Sequence, residues 1–371
     1  MRTLRALAAL LTVVLALSAC TAVSSSDRRP AQGPAAAPAP EESAVPQVAK
    51  PWQPGMTELG VNVLWEDSKD DDDEVTRAKA RRLLDYLVSL HANAMAVNFP
   101  FVLNGRYGTS VRPHPSQTPS PERLAILLEE AQRSRMRVTL RPLLDETSVA
   151  PAWRGKIEPT SRDKWFASYT RFLTPYAQVA QEHQAAEFVV GVELNALQGD
   201  SSRWKKLTAA LRQSFDGELS YSENFDAFQR DLETPPVDRV GVDAYFKVQA
   251  DDNASVATLT RAWERWLDQH ADDQAAGLVL HEVGIAAQNG GYRHPASWGN
   301  PSVPLNLKVQ RNWYQAVCNS AQSRKLAGLY FWYIRMHHDP GSEDSNQKDR
   351  LTFVDRPAEA TLRDCYERMS A

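Results

Sequence analysis

The 371-residue chain reads as an α/β protein built on one (β/α)8 (TIM) barrel. Eight short runs rich in apolar and β-branched residues alternate with amphipathic helical stretches. Most runs are too continuously apolar for a half-exposed antiparallel sheet, so they fit strands covered on both faces. A third sign is chemical. Two glutamates, Glu193 and Glu282, stand near the ends of the fourth and seventh runs, and barrel chemistry is found at the C-terminal ends of strands.

Before the first run lie two segments with a different character. Residues 1–19 carry Arg2 and Arg5, an apolar stretch from Ala6 to Leu17 and small residues before Cys20. That stretch is shorter than the roughly 20 residues needed to cross a bilayer, so it reads as a secretory signal. "LSAC" resembles the lipobox of bacterial lipoproteins, which makes Cys20 the expected lipidated first residue. Residues 20–50 are rich in Ala, Pro and Ser without apolar periodicity and read as a tether. Residues 51–371 are the expected barrel domain. The resulting expectation is an extracytoplasmic protein, lipid-anchored to the bacterial cell membrane and touching it only through that anchor. Losing Arg2 and Arg5 would take the formal charge from −4 to about −6. No basic block suggests nucleic acid, and a monomer is expected.

The expected strands are 59–65, 93–99, 137–144, 187–194, 218–221, 239–245, 277–283 and 326–332. The fifth, "ELSY", is the shortest and most polar. Between them, residues 75–91 place Leu83, Leu84, Leu87 and Leu90 on one face. At 120, Ser precedes Pro121, an N-cap followed by proline at the first helical position. Trp165, Tyr169, Phe172, Leu173 and Tyr176 recur at helical spacing, as do Leu259, Trp263, Trp266 and Leu267; both stripes read as core.

A buried carboxylate is costly unless a site is built around it. Two of them across a barrel mouth suit glycoside hydrolysis, where one carboxyl protonates the leaving oxygen and the other attacks carbon or activates water. "GVNVLW", "RPLLDE", "GVEL", "VGVDAYF", "HEVGIA" and "GLYFWY" occur in order from residue 60 to residue 333. Together they resemble the clan A glycoside hydrolases, and most closely glycoside hydrolase family 113, the endo-β-1,4-mannanase family. The resemblance implies a retaining enzyme on a β-linked, mannan-type saccharide, with Glu193 as acid/base, Glu282 as nucleophile and Tyr245 orienting Glu282. The clan places Asn directly before the acid/base, whereas Val192 stands here; Asn195 is the candidate substitute. The competing expectation is an inactive saccharide-binding barrel.

Further sugar-binding candidates are Trp65, Tyr221, Trp298 and Trp332, because sugar C–H faces stack on aromatic rings. Arg141 and Asp243 are polar candidates for the site: Arg141 could supply positive charge near Glu282 or neutralise Asp145 or Glu146, and Asp243 could bind a sugar hydroxyl or pair with a neighbouring strand's cation. His281 is expected on the opposite side of its strand from Glu282. The acidic run 66–75 lacks the spaced ligands and glycine of a calcium loop, and no metal or cofactor is expected. Cys318 and Cys365, in helical patterns near the C-terminus, could form a disulfide. Insertions after strands two and seven are positioned to wall the cleft.

Overall fold

The computed structural model describes residues 45–339 and 349–370; residues 1–19, Cys20 and most of the expected tether lie outside that range. Eight parallel strands close into a barrel: β1 (Glu58–Leu64), β2 (Ala94–Val102), β3 (Arg137–Leu144), β4 (Glu187–Val192), β5 (Glu218–Asn224), β6 (Arg239–Asp243), β7 (Val279–Val283) and β8 (Gly328–Arg335). Each pairs with the next, and β1 pairs with both β2 and β8, so the barrel strands leave no open edge.

The long outer helices are α1 (Asp73–Ser89), α2 (Pro121–Ser134), α3 (Arg162–Glu182), α4 (Ser201–Leu211), α5 (Val256–His270), α6 (Leu307–Arg324) and α7 (Pro357–Ser370). Ser120 caps α2 as expected, its side chain accepting from Arg123 N. The acidic run supplies the Asp72 cap of α1, with Asp73 and Glu74 in its first turn, where the helix dipole favours negative charge. Both aromatic stripes face the barrel. Trp263 and Trp266 pack on Phe246, and Tyr169 packs on Phe101 of β2.

Two features depart from expectation. The fifth strand runs on to Asn224. The tether ends early, because Val48 is buried and its N–H donates to Ser134 O at 3.0 Å, while Ser134 Oγ donates to Pro46 O. An apolar residue with a hydrogen-bonded backbone belongs to the folded domain. The lower barrel interior is ionic. Arg239 and Arg137 pair with Glu58 and Glu187, and Tyr330 donates to Glu58 at 2.6 Å. A bound pair of this kind avoids the penalty of isolated buried charge.

Cys318 on α6 and Cys365 on α7 form a disulfide with Cα atoms 5.9 Å apart. Among the described residues no helix is long and apolar enough to cross a membrane.

Candidate active site

A cleft of about 770 Å3 opens at the C-terminal end of the barrel, and both glutamates line it. Glu193 follows β4 in the left-handed region, with φ 53°. A non-glycine residue there costs about 1–3 kcal/mol, and such strain concentrates at functional sites. Its N–H donates to Ser222 O at 2.8 Å, which fixes the turn and carries the carboxyl into the mouth. Asn224 donates to Glu193 Oε1, and Arg154 Nη1 lies 3.5 Å from Oε2. Arg154 also pairs with Glu146 at 3.1 Å. Burial pushes the Glu193 carboxyl up to about 7; the Arg154 charge opposes this, while the negative charge of Glu282 adds to it.

Glu282 has a different setting. Tyr245 donates to its Oε2 at 2.8 Å and Arg141 Nη2 to its Oε1 at 2.8 Å. Arg141 is fully buried and also donates to Asn62, Ser222 and Asp243. Burial, then the nearby Glu282 charge, push the Asp243 carboxyl well above the usual carboxylate range.

The strand register changes between Leu280 and Val283 on one side of β7 and between Val242 and Asp243 on β6. This irregularity lets consecutive residues face inward. His281 therefore does not point away from Glu282 as simple alternation predicts. Its Nδ1 lies 3.2 Å from Ser222 Oγ and its Nε2 3.3 Å from Glu187 Oε1.

Trp298 and Trp332 line the cleft with ring centroids 6.3 Å apart, and Trp298 is 55% exposed. The loop after β7 contributes Pro295 to Trp298, so that insertion walls the cleft; the insertion after β2 does not reach its lining.

Several expected sugar contacts are corrected. Trp65 is buried in the core, away from the cleft lining. Tyr221 points outward and packs edge-on against Trp204, because alternation on β5 turns it toward the helices. Asn195 donates to Asp226 Oδ1 at 2.9 Å behind the cleft wall instead of replacing the missing Asn. Arg141 and Asp243 are fully buried under Glu282, so they support the carboxylate rather than touch solvent-borne ligand.

The residues that sequence reasoning missed are Asn224, Arg154 and Glu146, with Trp153, Asp226 and Lys247 also on the lining. Extending the period-two pattern of β5 past Ser222 would have placed Asn224 at the mouth. Arg154 lies on a short helical turn, Arg154–Lys156, with no periodic signal. Among the described residues no group of three or more His, Cys, Asp or Glu is arranged to hold a metal ion.

The family model of glycoside hydrolase family 113 matches residues 68–354, well over half of the chain. The chain belongs to glycoside hydrolase family 113. Membership makes it a glycosidase. Solved structures agree on the fold of this family 113 enzyme. A GH113 β-1,4-mannanase superimposes with a TM-score of 0.70 at 19% identity, covering 84% of this chain and 99% of its own. A complex structure of a GH113 β-1,4-mannanase gives 0.71 at the same identity and coverage. The GH113 β-mannanase AaManA from Alicyclobacillus acidocaldarius, in complex with ManMIm, gives 0.68 at 19% identity, covering 85% of this chain and 98% of its own. No curated relative matches the sequence significantly.

Proposed function

We propose that this enzyme cleaves a β-linked polysaccharide of the mannan type with retention of configuration, Glu282 acting as nucleophile and Glu193 as acid/base. One observation carries the reading: two carboxyl groups share a cleft in contrasting surroundings. Glu193 sits where burial favours its protonated form near neutrality. Glu282 receives one donor on each oxygen, from Arg141 and Tyr245, a setting that suits a carboxylate. A carboxyl raised by burial facing one clamped by two donors suits an acid and a nucleophile.

In the first step Glu193 gives its proton to the glycosidic oxygen while Glu282 attacks the anomeric carbon, and the aglycone leaves. In the second, Glu193, now a carboxylate, takes a proton from water, which displaces Glu282 from the sugar. Trp298 and Trp332 offer ring faces to sugar residues on either side. The mannan assignment rests on the family resemblance and on the names of the matched mannanases.

The test is Glu282→Gln. Its turnover of β-mannan should fall by more than about a thousandfold with the thermal transition unchanged. A 2-fluoro aryl β-mannoside should leave a covalent adduct on Glu282 by peptide mass spectrometry. Activity within a few-fold of wild type removes Glu282 from the mechanism.

From the sequence alone we also propose lipidation at Cys20 and an extracytoplasmic, membrane-anchored location. Cys20→Ser should release the enzyme from the membrane fraction; unchanged retention there argues against the anchor.

A further inference from the structure

The helix layer has a gap. Between β5 and β6 the connection is a single turn, Phe225–Phe228, followed by irregular chain up to β6, where most strand connections carry a long helix. Val240, which faces outward on β6, is consequently only partly buried. A second cavity of about 830 Å3 opens there, bounded by this turn and the C-terminal end of α5. Its size falls within the range of small-molecule sites.

Glu223 lines it. This residue faces outward from β5 between Ser222 and Asn224, and only 3% of it is exposed. Its Oε1 accepts from Gln198 Nε2 at 2.6 Å, and its Oε2 has no hydrogen-bond partner among the described residues. Nothing in the catalytic scheme uses it. At an outward barrel position an apolar side chain would do without the cost of burying a carboxyl, so a half-partnered carboxyl there asks for a ligand. The rest of the wall includes Phe228, Asp231, Gln269, His270 and Gln274, and neither Lys nor Arg.

We infer that this cavity is a second saccharide-binding site, taking neutral sugar residues of the same β-linked glycan. Carboxyl, amide and imidazole groups pair with vicinal hydroxyls as donors and acceptors, and the Phe228 ring offers a face for sugar C–H groups. A wall without Lys or Arg disfavours an anionic ligand. Burial pushes the Glu223 carboxyl up to about 7, so below that pH it donates as well as accepts. Gln229 lines both cavities, which places the second site beside the cleft rather than at a remote face. A polymer held there raises the local concentration of scissile bonds. The inference rests on the glycosidase reading above.

The experiment counts sites. Full-chain Glu282→Gln is titrated with β-1,4-mannotetraose by calorimetry, alone and combined with Glu223→Gln or with Gln274→Trp, a filling substitution at an exposed rim position. Two equivalents should bind to the single variant and one to either double variant. In the otherwise wild-type enzyme, Gln274→Trp should raise KM for soluble β-mannan by about threefold or more and leave hydrolysis of a short aryl β-mannoside unchanged. Only one equivalent bound to the single variant, and unchanged by Gln274→Trp, overturns the second site and leaves the cleft reading standing. A response to calcium or a polyamine with none to the tetraose at this cavity also overturns it. No tetraose binding anywhere overturns it too, and wild-type hydrolysis of mannan, scored separately, then decides whether the function reading falls as well.

Discussion

Replacing Arg154 by Gln should move the alkaline limb of activity upward. Under the proposed mechanism Glu193 must be protonated in the free enzyme to act as acid, so that limb in kcat/KM reports its carboxyl, which burial pushes up to about 7. Arg154 Nη1 lies 3.5 Å from Glu193 Oε2, and its positive charge favours the carboxylate. A unit charge at that distance is worth about 5 kcal/mol at an effective dielectric of about 20 and about 1 kcal/mol in a water-like medium. Glu146, 3.1 Å from Arg154 Nη2, offsets part of that charge, so the net effect falls toward the lower value. At about 1.4 kcal/mol per pKa unit, Glu193 should rise by about one unit in Arg154→Gln. The assay is kcat/KM against pH from about 4 to about 10 on a soluble substrate. Lost substrate contacts lower the whole curve without displacing the limb. Glu146→Gln is the opposite control: it removes a negative charge, leaves Arg154 to Glu193, and should lower the limb. A limb unmoved in Arg154→Gln, or moved to lower pH, refutes the electrostatic role of Arg154.

Two further outcomes follow from the geometry. Tyr245→Phe removes a 2.8 Å hydrogen bond to Glu282 Oε2; a bond to a charged group is worth about 1.5–3 kcal/mol, so kcat/KM should fall roughly 10- to 100-fold, and a change below about twofold would show that Tyr245 does not orient Glu282. The Cys318–Cys365 bridge closes a separation of 47 residues, for which chain entropy gives about 4 kcal/mol as an upper value. The Cys318→Ala/Cys365→Ala double variant should therefore unfold at lower urea concentration, and reductant should lower the wild-type midpoint but not that of the variant. Coincident unfolding curves for the two proteins would contradict a stabilising bridge.

Much of this enzyme was legible in the linear chain. The barrel could be read because strands covered on both faces must be apolar, and because their alternation with amphipathic stretches leaves few architectures. Glu193 and Glu282 stood out for the same reason, as charges at the ends of apolar runs. Tyr245 followed from the resemblance to the family, and the structure places its hydroxyl on Glu282. Other assignments needed three dimensions. Trp65 and Tyr221 are aromatic residues at strand ends, as Trp332 is, yet only the direction of each side chain separates a cleft wall from a packed core. Strand direction is set by register, and the irregularities in β6 and β7 that bring His281 and Glu282 to one side are properties of paired strands, invisible in either strand alone. For Arg141 and Asp243 the sequence left a sugar contact and a charge pairing both open; the pairing of Arg141 with Glu282 and Asp243, and their depth beneath Glu282, come from closure of the barrel around them. Arg154 and Asn224 surround Glu193 from positions 39 and 31 residues away. Local chemistry, strand period and charge in an apolar run are carried by neighbours in sequence, whereas the electrostatics that set one glutamate apart from the other depend on distances across the barrel mouth, which exist only once the chain has closed on itself.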